Sequence, residues 1–382
     1  MNEFDEEHRR WTSCLYPSRK LREEKTFLIG VLVGEGVGEE VINCAVEVLD
    51  AITRSTDLQF DIRYGGAIGR ESEKSGGEPL SDEVIDFCNE VFHQSGSILC
   101  GPGGGRFVYD LRRQFDLFFK ISPIQVANGF PNSSRLKPNA LQDVDILVTR
   151  EGRSGVYQGA WKEQFDEQQR RVSSQVISYD DIQVQRFLDA SAKLAASRQA
   201  NMTVVWKESG VPTISSLWRD CAERAAAENG IEYRMVDVDL MAYQLIQDAN
   251  MFNVIATPNL FGDVIADLGA VLLGSRGVSY SGNYSEQGWS VYQTNHGAAY
   301  DLAGKGIANP IGQILALAMM LRESFELDWA ANCIHHAVRK VRDLGFVTAE
   351  LSGNQNSVLG TQEIGSLIAK HVAESIDTQA NT

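Results

Sequence analysis

An α/β fold is predicted by three stretches in which a short apolar run ends in a glycine-rich or polar turn and gives way to a helix-period pattern. F-L-I-G-V-L-V (residues 27–33) leads into G-E-G-V-G (Gly34 to Gly38) and an amphipathic helix from Glu39 to Ile52. M-T-V-V-W (202–206) delivers Lys207 and is followed by a helix over 215–229. Phe252, Val254 and Ile255 precede T-P-N-L-F-G-D-V-I-A-D (Thr257 to Asp267), where Val264, Ile265 and Leu268 recur at helical spacing. Continuous apolar runs are what strands covered on both faces of a parallel sheet require. With 382 residues, 43% of them hydrophobic, the chain can bury a large core as two domains or one large α/β unit.

Charge and cysteine usage narrow the function classes. Lysine and arginine number 35 against 51 acids, a net charge of -16, so neither nucleic acid nor an anionic membrane is an expected partner. An anionic substrate then needs locally clustered arginines. Cys14, Cys44, Cys88, Cys100, Cys221 and Cys333 form no CxxC or metal-ligand spacing and read as buried thiols of a reducing, cytoplasmic compartment. No apolar run reaches membrane-spanning length. The start has no apolar signal segment, and Glu3, Asp5, Glu6 and Glu7 argue against a transit peptide.

In chain order, residues 1–26 are a polar appended arm in which Trp11, Leu15 and Tyr16 are the groups able to dock. The unit over 27–52 has the plan of a nucleotide-binding βα turn, but its spacing is not GxGxxG, and a plain βα turn fits it equally. A strand at 58–64, a helix at 82–92 and a strand at 97–100 lead to G-P-G-G-G (Gly101 to Gly105). Arg106, Arg112 and Arg113 follow, where an α/β protein would hold a carboxylate or phosphate; Arg113 alone reads as a solvated helix face. A strand over 143–151 carries Arg150, and the glycine-rich turn after it presents Tyr157, either as core packing or as an acid/base. Residues 160–200 are polar, a protruding segment leading into a helix over 183–197. Lys207 leaves a buried strand, where partial desolvation lowers a lysine toward base function.

A strand over 231–238 ends at Asp239. If a helix begins near Gly262, Asp263 and Asp267 stand one turn apart near its positive end. They then form a half-site for a hard divalent cation, or a solvated helix start with one aspartate as cap. The loop over 294–310 brings His296, Asp301 and Asn309 close enough to line one small-molecule surface, and helices over 311–323 and 329–344 close the fold.

Five colinear motifs then carry a resemblance: G-E-G-V-G-E-E-V, L-R-R-Q-F-D-L-F, T-R-E-G-R-S-G-V-Y-Q-G, N-L-F-G-D-V-I-A-D and H-G-A-A-Y-D-L-A-G-K-G-I-A-N-P. Over about residues 27–373 the chain resembles the β-decarboxylating dehydrogenases, the isocitrate and 3-isopropylmalate dehydrogenase family, and its C-terminal third is nearest to 3-isopropylmalate dehydrogenase. The resemblance implies an α/β fold other than the usual dinucleotide fold. A large cofactor-binding domain is expected from 27–120 and 268–382, and a smaller central domain from 121–267, with the active site in the cleft between them. It implies a homodimer with shared sites, each completed by Lys207 and Asp239 of the other chain.

Mg²⁺ or Mn²⁺ would be held by Asp263 and Asp267 with Asp239. Lys207 and Tyr157 match the catalytic pair, and Arg112 and Arg150 match two of three arginines that bind a malate-like hydroxy acid. Arg106 stands near the position that selects its variable group. NAD contacts fall at Val37, Asn259, His296, Gly297, Asp301 and Asn309. Asp301 and Leu302 stand where NADP-using members place lysine and tyrosine, so NAD is the expected cofactor.

The chain departs from the family pattern in four places. Ser122 in I-S-P replaces the third arginine, K-E-S-G-V-P lacks the asparagine after the lysine, the loop before Arg112 is short, and Ala298 and Tyr300 replace a serine and a proline. These bear on substrate identity, with 3-isopropylmalate and malates carrying an anionic arm (isocitrate, homoisocitrate, a phosphonate) all open. A tartrate- or malate-type dehydrogenase and a non-catalytic regulatory subunit are the alternatives. A regulatory subunit is expected to lose the metal acids or the lysine, and this chain keeps them.

Overall fold

The structure, a computed structural model, describes residues 10–16, 25–353 and 357–380. The first half alternates strand and helix: β1 Thr26–Leu32, α1 Gly38–Ser55, β2 Gln59–Tyr64, α2 Gly69–Lys74, α3 Asp82–His93, β3 Ser97–Cys100, α4 Phe107–Gln114, β4 Phe119–Gln125 and β5 Asp145–Glu151. A ribbon of β6 Trp161–Phe165 and β7 Arg171–Gln175 precedes α5 Asp181–Ser197, β8 Met202–Trp206, α6 Pro212–Asn229, β9 Tyr233–Asp237 and α7 Val238–Gln247. Then come β10 Val254–Thr257, α8 Asn259–Leu273, β11 Tyr280–Tyr284, β12 Ser290–Thr294, α9 Ile311–Glu323, α10 Asp328–Asp343, the short β13 Phe346–Val347 and β14 Ser357–Val358, and α11 Thr361–Ala380.

Ten strands form one sheet in the order β2-β1-β3-β12-β11-β4-β5-β10-β8-β9. β2, β1, β3 and β12 run parallel, as do β5, β10, β8 and β9, and antiparallel pairings through β11 and β4 join the two blocks. The alternation of side chains explains the layers. Ile29, Val31 and Leu99 face a core shared with α1, α9 and α11, whereas Leu32, Ile98 and Cys100 face a second core under α3 and α4. Every residue of α9 is buried, as expected of a helix that packs on β11 and β12 on one side and on α1 and α10 on the other.

The ribbon β6–β7 is the protruding segment; all of its residues are exposed. Trp11 and Cys14 are buried, and the Thr12 amide and hydroxyl both donate to Glu323 at 2.9 Å. The arm thus docks through Trp11 as expected, while residues 1–9 and 17–24 lie outside the described residues. Two boundaries differ from expectation. α8 begins at Asn259 after the N-cap Pro258, not near Gly262, so Asp263 and Asp267 lie in its second and third turns and the macrodipole does little for them. β9 stops at Asp237, and Asp239 belongs to the first turn of α7.

All six cysteines are buried, and Cys14, Cys44, Cys88, Cys100 and Cys221 are free thiols. Among the described residues no helix is long and apolar enough to cross a membrane.

Candidate active site

Strand alternation sets the site. Thr149 points toward α5, where its hydroxyl meets that of Ser191 at 2.8 Å, so Arg150 points to the opposite face, beneath α8. α8 comes close because two of its contact residues have no side chain. A Cβ on Gly262 would lie 2.1 Å from Thr257 Oγ1, and one on Gly269 would lie 2.2 Å from Ile124. Arg150, 3% exposed, donates from Nε to Asn259 Oδ1 at 2.8 Å and from Nη1 to Asp263 Oδ1 at 2.6 Å. The Tyr157 hydroxyl donates to the other oxygen of Asp263 at 3.1 Å. Burial alone would raise the Asp263 carboxyl, but Arg150 and Lys120 outweigh it and hold the group below its ordinary range. Burial and the Asp263 charge push the Tyr157 phenol well up, so it stays a protonated acid.

Arg112 lies close to Arg150. Arg112 is 2% exposed and donates from Nε to Asn283 Oδ1 at 3.0 Å, while its Nη1 has no partner. Burial and then the adjacent Arg150 lower Arg112 to about 9. Between them lies a residue that the sequence reading passed over. Lys120 pairs with Asn283 on one side and Arg150 on the other, so the three side chains share one face of the sheet. It is 4% exposed, and among the described residues its ammonium has no hydrogen-bond partner. Burial, then Arg112 and Arg150, hold its pKa well below the ordinary value. A single lysine inside the apolar F-F-K-I was the available signal. Ser122, on the same face, is buried in a neutral network, donating to Asn295 Oδ1 at 3.4 Å while Asn295 donates to Ser279 Oγ at 2.8 Å.

Lys207 and Asp239 do not join this group. Trp206, stacked on Trp218 at 5.2 Å between ring centroids, pins the end of β8. Lys207 then turns outward to donate to Asp239 at 2.7 Å and Asp237 at 3.1 Å. The expected lowering by desolvation is therefore corrected for the single chain. Hydrogen bonds to Asp239 and then Asp237 raise the Lys207 pKa, because the half-exposed ammonium keeps water and gains two anions.

Asp267 pairs with Arg276 at 2.8 Å rather than with Asp263. Arg106 is partly exposed, donating to Tyr157 O at 3.1 Å and to Asp110 at 3.3 Å, with the Trp161 ring at 4.7 Å from its guanidinium carbon. Of the dinucleotide candidates, Val37 and Asn309 are buried, and Asn259 is buried with its Nδ2 unpartnered. Asn309 donates to Glu350 at 2.8 Å, and His296 Nδ1 lies 2.9 Å from Gly297 O. Gly297 and Asp301 are exposed, and a Cβ on Gly297 would meet nothing within 4 Å. Gly36, at φ +58°, lets the first loop close on the His296 loop, where a Cβ would lie 1.9 Å from Ala298 O. Glu39 and Glu40 fill the first turn of α1, so that helix end is not the pyrophosphate cradle of the common dinucleotide fold.

The donor set fits a hard cation in part. Asp263 and Asp267 are both about half exposed and offer only carboxylate oxygens, the chemistry of Mg²⁺ and Mn²⁺. Among the described residues no three acids, histidines or cysteines gather, so a third ligand must come from elsewhere. A fit to a dinucleotide rests on the open glycine loops and the unpartnered Asn259 amide.

Buried cations, a carboxylate and a protonated tyrosine gathered on one face of an α/β sheet define an enzyme for a small acidic molecule. The comparisons are more specific. Residues 28–368 match the family described as isocitrate/isopropylmalate dehydrogenase. The 3-isopropylmalate dehydrogenase of Aquifex aeolicus is 32% identical over 363 residues, 91% of this chain and 98% of that one. That of Geobacillus kaustophilus is 34% identical over 352 residues, 88% and 93% of the two chains. The isocitrate dehydrogenase structure from Methylococcus capsulatus superposes with a TM-score of 0.78 at 28% identity, covering 92% of this chain and 99% of that one. The chain belongs to the isocitrate/isopropylmalate dehydrogenase family and is a decarboxylating dehydrogenase.

Proposed function

We propose that the protein carries out the NAD-linked, metal-dependent oxidative decarboxylation of a 3-substituted malate to a 2-oxo acid and CO₂. The observation that carries the reading is the convergence of Arg150, Tyr157 and Asp263, a carboxylate-binding cation, a proton donor and a metal acid held within hydrogen-bond reach of one another. Arg112 and Arg150 bind substrate carboxylates. Asp263, Asp267 and Asp239 would hold a divalent cation, which would supply Lewis-acid stabilisation of charge on the 2-oxygen, and bound NAD⁺ would supply the hydride acceptor. Lys207 takes the proton of the 2-hydroxyl as the hydride leaves C2. The carboxylate β to the new ketone then departs as CO₂, its electron pair stays as an enolate, and Tyr157 protonates the carbon. Val37, Asn259, His296, Gly297, Asp301 and Asn309 are the proposed dinucleotide contacts.

The reading includes a homodimer with shared sites. Lys207 and Asp239 are bound to each other at the surface, and a second chain that covers them would supply the desolvation the base needs. Leu240 and Tyr243 of α7 and Val264 of α8 are exposed, and Trp161, Phe165 and Val172 line the exposed ribbon, which supports a mate on this side. The proposed division into 27–120 with 268–382 and 121–267 passes through β4 and α8, so the cleft would lie along those two elements. The free buried thiols support a reducing, cytoplasmic setting.

A panel of malates with isopropyl, carboxyalkyl and phosphonate 3-substituents, assayed with Mn²⁺ and NAD⁺, tests the substrate class. Turnover of at least one is expected, and none with any member would reject the reading. Arg106 is already paired with Asp110. Arg106→Ala raises KM for an anionic arm if the guanidinium leaves that partner for substrate, and leaves the isopropyl compound unaffected.

A further inference from the structure

We propose that Lys120 is a substrate-carboxylate ligand, supplying from an earlier position on β4 the third cation that Ser122 does not. The proposal rests on the malate reading above for the identity of the anion, and on geometry for the residue. Lys120 stands between the Arg112–Asn283 pair and Arg150 on one face of the sheet, 4% exposed and without a hydrogen-bond partner among the described residues.

Three cations packed together, with Asp263 the one carboxylate bonded to any of them and Asp267 further off, are unfavourable unless an anion joins them. Nη1 of Arg112 is also buried and unpartnered in the same group. It and the Lys120 ammonium thus ask for acceptors, and a carboxylate supplies them. The position of Ser122 asks for none, because its hydroxyl is spent on Asn295, which is itself held by Ser279. Two residues along a strand is roughly 6.7 Å, comparable with the reach of a lysine stem, so Lys120 can bring charge toward the anion that a cation at 122 would meet. Lysine offers a point charge where arginine offers a fixed fork, so this pocket holds the carboxylate less rigidly in orientation.

The test uses the full-length protein and D-malate and 3-isopropylmalate as probes, read by ligand-induced thermal stabilisation without turnover and, separately, by steady-state kinetics. Lys120→Met removes an unpaired buried cation and keeps the volume, so the free variant melts at or above the wild-type temperature. It loses the malate-dependent shift, and KM rises roughly ten- to hundredfold with kcat changed much less. Lys120→Gln, neutral and polar, gives the same pattern.

A shift equal in wild type and variants, no shift in the wild type, or variants that melt lower or fail to fold would each overturn the proposal in favour of a structural lysine. The two readings fail separately. Lysine-dependent malate binding without any oxidation rejects the proposed reaction alone, whereas turnover with an unchanged KM in both variants rejects Lys120 alone.

Discussion

Tyr157 donates its phenolic hydrogen to Asp263 at 3.1 Å, and the same carboxylate is held on its other oxygen by Arg150 at 2.6 Å. The pairing keeps the phenol protonated beside the carboxylate proposed to hold the metal, as the proposed role of proton donor to the enolate carbon requires. Tyr157→Phe lowers kcat by roughly 10² to 10⁴ while costing about 1–2 kcal/mol of stability. Steady-state kinetics beside a denaturant melt check this; an unchanged kcat would remove Tyr157 from the chemistry.

Lys207 and Asp239 bond to each other and not to the Asp263 group, and the proposed reading completes each site with these two residues of a second chain. Lys207→Ala and Asp263→Asn proteins are each inactive. Mixed under subunit exchange they regain activity, because one of the two sites in a heterodimer is intact. Verified heterodimers without activity would contradict the shared cleft.

Asp301 is exposed on the loop that follows His296. As the proposed ribose contact, its carboxylate would accept from the ribose hydroxyls and repel a 2′-phosphate, a preference of roughly ten- to hundredfold after solvent screening. Asp301→Lys with Leu302→Tyr narrows or reverses it. Equal kcat/KM for NAD⁺ and NADP⁺ in the wild type would refute the assignment.

Glu151 gives a pH dependence of folding. Burial pushes its carboxyl up from 4.5 to about 7, against the Arg153 and Ser154 amides that it accepts at 2.6 and 2.9 Å. Between these values the unfolded chain has released the proton and the folded chain still holds it. Stability therefore falls as pH rises from about 4.5 to about 7 and then levels off, by on the order of 3 kcal/mol. Asp116 and Asp263, both held low, lose their contributions only at more acidic pH. Glu151→Gln flattens this window in urea titrations at pH 5 and 8; an unaltered slope would assign the effect elsewhere.

The parallel blocks were legible in the sequence because their strands are apolar throughout, as F-L-I-G-V-L-V and M-T-V-V-W are. The antiparallel centre was not. Y-S-G-N-Y and S-V-Y-Q-T form β11 and β12, yet Ser281, Asn283, Ser290 and Gln293 are buried, paired in ways spacing does not reveal, such as Ser97 with Ser290 at 2.9 Å. Motif resemblance found Arg112, Arg150, Tyr157 and Asp263, which the fold brings together. Lys120 escaped because its meaning depends on register: only the pairing of β4 with β11 and β5 places it between Asn283 and Arg150. The raised pKa of Lys207 in the single chain was not legible because it depends on Asp239 and then Asp237 both reaching the ammonium.

In the proposed reaction, oxidation and decarboxylation are coupled at a metal held by Asp263. NADH and CO₂ are therefore measured together from the best malate of the panel, with Mn²⁺ and then with excess chelator. Equal amounts of the two products are expected with Mn²⁺, neither with chelator, and neither from Asp263→Asn. NADH without CO₂, or full rates in chelator, would refute the coupling or the metal.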